Sequence, residues 1–216
     1  MINKKIEAYA DRMSTPVDTV LDELEKETYQ KELRPNMLSG SYQGQLLSII
    51  SQLKKPRNIL EIGTYTGYST ICLAQGLAVG GKLFTIEKDE ELRTIQDKYF
   101  KKCQLEGSIV QHFGDAKHII PDLAETFDLV FIDADKKNYK NYLEMVYPIM
   151  ESGAMLLSDN VLWKGKVTFD EGRDKIGEKI HEYNKHLLAH QCFSTVLLPI
   201  RDGLSVSIKN KKNTTR

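Results

Sequence analysis

The chain has no surplus of either charge: 30 lysines and arginines stand against 30 aspartates and glutamates, so no net field advertises a polyanionic partner. Cysteine is scarce. Cys72, Cys103 and Cys192 are odd in number, far apart and without metal-ligand spacing, which excludes a disulfide framework and fits reduced thiols in a cytoplasmic protein. No run of 18 apolar residues occurs, and MINKKIEAYADRM mixes both charges without an apolar stretch, so neither membrane span nor signal peptide is expected. Internal repeats are absent. So is the G-x-G-x-x-G spacing that seats a pyrophosphate on a helix N-terminus, which disfavours a dinucleotide.

What is present is 216 residues of 41% hydrophobic composition, enough to bury one real core. The reading is a single domain over 1–216, with N-terminal helices and a lid in 1–55 and an α/β core in 56–216. From Pro16 to about Leu33, Val17, Val20, Leu21 and Leu24 recur at helical spacing, with Thr15 as cap and Pro16 in the first turn. Pro35 and Gly40 break that pattern, which reads as a loop over a site, before a second helix carrying Leu46, Leu47, Ile49, Ile50 and Leu53. After Pro56, RNILEIG, KLFTIEK, SIVQHFG, FDLVFID and GAMLLSD alternate with helical segments. Runs apolar on both faces, interleaved with helices, predict a doubly wound, mostly parallel sheet with helices on both faces. After a last helix from about Arg173 to Ala189, FSTVLLPI and GLSVSIK, joined at Arg201-Asp202-Gly203, predict an antiparallel C-terminal hairpin. The final KNKKNTTR reads as a frayed basic tail.

The first predicted strand runs into Glu61-Ile62-Gly63-Thr64-Tyr65-Thr66-Gly67, the turn where a doubly wound sheet holds its ligand. S-adenosylmethionine carries no phosphate but bears a sulfonium and an ammonium, and so suits an acidic residue such as Glu61; the bland alternative is glycines serving turn geometry alone. Glu87 ends the second strand, where a carboxylate can accept both ribose hydroxyls or simply face solvent. Gly114-Asp115-Ala116 ends the third with a small and a polar residue suited to an adenine. Together the three strand ends favour an adenosyl group. The fourth and fifth strands deliver Asp133, and Asp159 with Asn160. Oxygen donors without His or Cys point to Mg²⁺, or to Ca²⁺ or Mn²⁺, although acidic residues also commonly follow strands and cap helices. Asp135 reads either as such an N-cap or as a cofactor contact. A divalent ion lowers the pKa of a bound hydroxyl and aims it at a methyl group. Lys136, three residues after Asp133, is placed to take the proton, or with Lys137 is a solvated surface lysine.

In order along the chain, LEIGTYTGYST, Glu87, GDA, FIDADK, SDNVLWKGKV and PIRDGLSVSIK make the segment from about Met37 to Lys209 similar to the cation-dependent O-methyltransferases of the caffeoyl-CoA and catechol type. The resemblance implies a Rossmann-like fold, metal ligands at Asp133, Asp159 and Asn160, and Lys136 as the base. It implies cofactor contacts at Met37, Ser39, Glu61, Gly63, Thr64, Ser69, Glu87, Ala116 and Asp135. It also implies a homodimer, to which the apolar faces of the first two helices could contribute. Plant members carry an Asn shortly after the Trp of DN-x-LW, whereas Lys164 follows Trp163 here, a departure that counts against the plant phenylpropanoid-CoA acceptor. The expected acceptor is a small, catechol-like hydroxyl compound at a mouth formed by 34–42 and 161–166, with Trp163 as a platform for its ring or as a loop anchor. A different class of function is methylation of a tRNA hydroxyuridine, which needs a basic rim such as Lys136, Lys137, Lys140, Lys164, Lys166 and the tail. A non-catalytic cofactor-binding module is the third reading, disfavoured because ligands and base are all present.

Overall fold

Every apolar run after Pro56 becomes a strand. In the computed structural model, β1 (Asn58–Ile62), β2 (Lys82–Glu87), β3 (Ile109–Phe113), β4 (Phe127–Ile132) and β5 (Met150–Asp159) pair in parallel. β6 (Phe193–Leu198) and β7 (Leu204–Lys209) complete the sheet as an antiparallel hairpin, β7 lying against β5. The structure describes residues 4–168 and 172–210. The strand order is β3-β2-β1-β4-β5-β7-β6, so the direction of winding reverses between β1 and β4, the switch point beyond whose carboxyl ends sheets of this kind place their ligand crevice.

The two-residue alternation of each strand feeds two cores. Leu60, Ile62, Ile86, Val130, Ile132 and Leu156 pack on one face with residues of α6 (Ala116–Ile119), α7 (Tyr139–Val146) and α8 (Lys175–Ala189). Ile59, Leu83, Leu129, Phe131 and Leu157 pack on the other with α2 (Thr19–Lys31), α3 (Gly40–Lys54), α4 (Tyr68–Ala74) and α5 (Arg93–Lys102). Each fully buried Leu or Ile contributes about 1.5–3 kcal/mol by leaving water. Glu61 is in phase with Ile59, so its side chain is delivered into the second core, toward α4.

Three expectations change. The helix expected from Pro16 starts at Thr19, because Asp18 rather than Thr15 caps it: the Asp18 carboxylate accepts the Val20 N–H at 2.9 Å. The N-terminal segment, given no element by pattern, forms α1 (Lys4–Arg12) and docks on α3 through Ser41 Oγ donating to Asp11 at 2.7 Å. The hairpin loop is longer than its DG pair suggested: Leu198 ends β6 and Leu204 opens β7, with Gly203 N–H donating to Ile200 O at 2.8 Å. The basic tail from 211 onward lies outside the described residues, and no described helix is long and apolar enough to cross a membrane.

Candidate active site

The crevice is built first by a backbone contact. Gly63 N–H donates to Ile86 O at 3.0 Å and Asp133 N–H to Ile62 O at 2.9 Å, so β1 is stitched to both neighbours where the chain leaves the sheet. Gly63 holds φ +102°, and a Cβ there would fall 2.2 Å from the Asp133 carbonyl oxygen, so only glycine lets the two strand ends close. Beneath them Glu61 is completely buried. Its carboxylate accepts Ser69 Oγ and Thr70 Oγ1 at 2.5 Å each and Thr85 Oγ1 at 2.6 Å, while Thr64 and Thr85 share a further hydroxyl contact at 2.5 Å. Burial pushes its pKa up to about 7, against the pull of the three hydroxyls and with the added repulsion of Asp133. In this structure both Glu61 oxygens are therefore spent on ordering the turn and the first residues of α4. Glu87 lies at the crevice edge, accepting the Tyr65 N–H at 2.7 Å and the Lys88 and Asp89 N–H groups at 2.8 and 2.9 Å. Tyr65 OH in turn donates to Arg34 O at 3.2 Å, tying the turn to the segment that carries half-exposed Met37 and buried Ser39. Ala116 is buried at the start of α6, which Asp115 caps through the Lys117 N–H at 3.0 Å.

At the ends of β4 and β5 the register sets Ile132 beside Ser158, which places Asp133 and Asp159 on neighbouring chain exits. Tyr139, wholly buried, clamps both exits by donating to Asp159 O at 2.9 Å and Ile132 O at 3.2 Å. Lys136 Nζ stands 2.6 Å from Asp133 Oδ1 and 5.1 Å from the centre of the Tyr139 ring. Its side chain is only 13% exposed, which separates it from the solvated Lys137. Asp159 is buried; Gln43 Nε2 donates to its Oδ2 at 2.7 Å and the Asn160 N–H to its Oδ1 at 2.7 Å. Burial and then the charge of Asp133 raise the Asp159 pKa to about 6, with Lys136 and Gln43 opposing. Asp135 stands at the N-cap position of the 3-10 turn 136–138, but its carboxylate caps no backbone N–H and instead accepts Tyr142 OH and Asn138 Nδ2. Among the described residues no three His, Cys, Asp or Glu side chains form a ligand cluster, so the candidate set is two carboxylates with the Asn160 amide. Two carboxylates that repel one another, offset by one ammonium, are a donor set that could hold a hard divalent cation.

Sequence reading missed Gln43, Tyr139, Tyr142, Thr85 and Arg201. Gln43 and Arg201 are remote in the chain from the motifs they serve, and a tyrosine at helical spacing reads as core. Trp163 acts as an anchor: its indole N–H donates to Asp174 Oδ1 at 3.2 Å, and Asp174 is the N-cap of α8. The loop it sits in is fastened to the hairpin turn through Leu162 N–H on Asp202 O at 2.8 Å.

A doubly wound sheet whose strand ends at the switch point are acidic and lack the glycine spacing of a phosphate cradle suits an adenosyl cofactor without phosphate. The profile of the O-methyltransferase family matches residues 11–210. The chain is 31% identical over 175 residues to a catechol O-methyltransferase of Niastella koreensis, covering 77% of this chain and 79% of that one. It is 30% identical over 198 residues to a caffeoyl-CoA O-methyltransferase of Stellaria longipes, covering 86% and 81%. The solved structure of an O-methyltransferase from Bacillus cereus in complex with SAH superposes with a TM-score of 0.87 at 29% identity, covering 95% of this chain and 97% of that one. This chain belongs to the O-methyltransferase family and is an S-adenosylmethionine-dependent enzyme.

Proposed function

We propose that the enzyme methylates one hydroxyl of a small, catechol-like acceptor, and that Asp133, Asp159 and Asn160 hold a divalent cation, Mg²⁺ being the best match to their oxygen donors. The observation that carries this reading is the buried Asp159 carboxylate facing the charge of Asp133, with Lys136 Nζ 2.6 Å from the latter. Relatives named for catechol and caffeoyl-CoA supply the acceptor class, an aromatic vicinal diol. A bound hard cation supplies charge that favours the ionised hydroxyl and fixes its direction.

The chain's own residues do the rest. Lys136, its side chain 13% exposed and its Nζ 5.1 Å from the centre of the Tyr139 ring, is assigned as the base: as a neutral amine, with its proton given up beforehand, it would receive the hydroxyl proton at Nζ. Glu61 keeps Ser69, Thr70 and Thr85 in place, so the crevice floor is ordered before the methyl donor arrives. Met37, Ser39, Glu61, Gly63, Thr64, Ser69, Glu87, Ala116 and Asp135 are assigned to the donor's side of the crevice. The lid from Arg34 to Gly40, held by Tyr65 and Arg201, limits access of water. A tRNA acceptor draws little support, since Lys136 and Lys166 of the basic rim are ion-paired with Asp133 and Asp174.

The test follows SAH release from S-adenosylmethionine and catechol, with Mg²⁺, with excess chelator, and with Asp159→Ala. Turnover that needs both the ion and Asp159 is expected. Cofactor binding without turnover of any catechol would shift the reading to unmodified tRNA, and absence of cofactor binding would overturn the assignment of the crevice.

A further inference from the structure

Gln43 lies one turn into α3, is 1% exposed, and is separated from Asp159 by 116 residues of chain. Its amide is held at both ends: Nε2 donates to Asp159 Oδ2 at 2.7 Å, and Oε1 accepts from Arg201 NH1 at 3.5 Å. Arg201 reaches it from the β6–β7 turn and donates through NH2 to Leu38 O at 3.1 Å, in the lid. A carboxylate only accepts and a guanidinium only donates, so one of the two possible amide orientations satisfies both partners and the other satisfies neither. Arg201 holds φ +49°, a left-handed conformation that glycine adopts far more readily; at this position the side chain is what a glycine would lack.

We infer that Gln43 is a positioning residue for Asp159 and that Arg201 sets the orientation of its amide. A neutral donor suits this task. It holds one Asp159 oxygen in place while leaving the carboxylate's negative charge for a cation, whereas a lysine or arginine at position 43 would compete for that charge. The contact resembles the outer hydrogen bonds that orient ligands in metal sites, whose removal typically weakens metal binding. The inference rests on the proposed role of Asp159 as a cation ligand.

The test measures Mn²⁺ binding by electron paramagnetic resonance and SAH binding by calorimetry on the full chain, without turnover. Gln43→Leu, close in size, is expected to weaken Mn²⁺ binding roughly 10- to 100-fold while SAH affinity holds. A merely structural role would move both together. Arg201→Gly, which relieves the backbone and leaves the amide free to flip, is expected to weaken Mn²⁺ binding by a smaller factor; it decides the matter if Gln43→Leu does not fold. Wild-type Mn²⁺ affinity in either folded variant overturns the corresponding role. If the unaltered enzyme binds no Mn²⁺, the cation reading of Asp133, Asp159 and Asn160 fails, and that failure is seen before any variant is compared.

Discussion

Replacing Glu61 with Gln should change how stability depends on pH more than it changes stability itself. The carboxyl titrates at about 7 in the folded protein against an ordinary value of 4.5, because it is fully buried in the second core. Between those values the folded protein keeps a proton that the unfolded chain releases. Stability from this group is therefore fully present below pH 4.5 and is lost as pH rises through 7. The separation corresponds to about 3 kcal/mol. A glutamine cannot titrate, and its amide resembles the protonated acid in shape and charge. Urea unfolding of wild type and Glu61→Gln from pH 5 to pH 8, without divalent ions, should give curves that lie close at pH 5 and separate by up to about 3 kcal/mol at pH 8, with wild type the less stable. Other titrating groups, Asp159 among them, largely cancel in the difference. Parallel curves across that range would show that Glu61 is not a neutral acid in the folded protein below pH 7, and the account of the three hydroxyls donating to a costly buried charge would fall.

Gly63→Ala puts a methyl group 2.2 Å from the Asp133 carbonyl oxygen at φ +102° and should cost roughly 3 kcal/mol and the cofactor affinity as well, measured by urea unfolding and SAH titration; a variant that matches wild type in both would contradict the close approach of β1 and β4. Lys136→Met keeps an apolar stem over Tyr139 but removes the amine, and should lower kcat about 10²- to 10⁴-fold with SAH affinity retained; near-normal kcat would take Lys136 out of the proton transfer. Asp18→Ala should lower stability by about 1 kcal/mol in thermal or urea unfolding while Thr15→Ala does nothing, and the reverse ranking would return the helix start to Pro16.

Much of this architecture is legible in short stretches of residues. Strands such as LVFI, and ILEI apart from Glu61, are apolar on both faces, which announces a covered parallel sheet, and the glycine two residues after Glu61 marks a backbone that must approach another. Asp133, Asp159 and Asn160 were visible because strand ends in this fold face the crevice. The start of α2 was misplaced because Thr15 and Asp18 are both good caps, and choosing between them depends on which backbone N–H groups the side chain meets. The partners of Glu61 are not legible in its motif: strand alternation turns it toward α4, where Ser69 and Thr70, with Thr85 of β2, hydrogen-bond its carboxylate.

Patterns of polarity, turn residues and strand ends are local, and the sequence alone determined the class of fold, the order of the motifs and the acidic edge of the crevice. The meeting of Gln43 with Asp159 and Arg201, the clamp of Tyr139 over two strand exits, and the burial that separates Lys136 from Lys137 were decided only by tertiary structure. Each depends on how α3, α7 and the C-terminal hairpin pack across the same edge of the sheet. Hydrogen bonds between groups more than 100 residues apart leave no periodicity in the chain to be read.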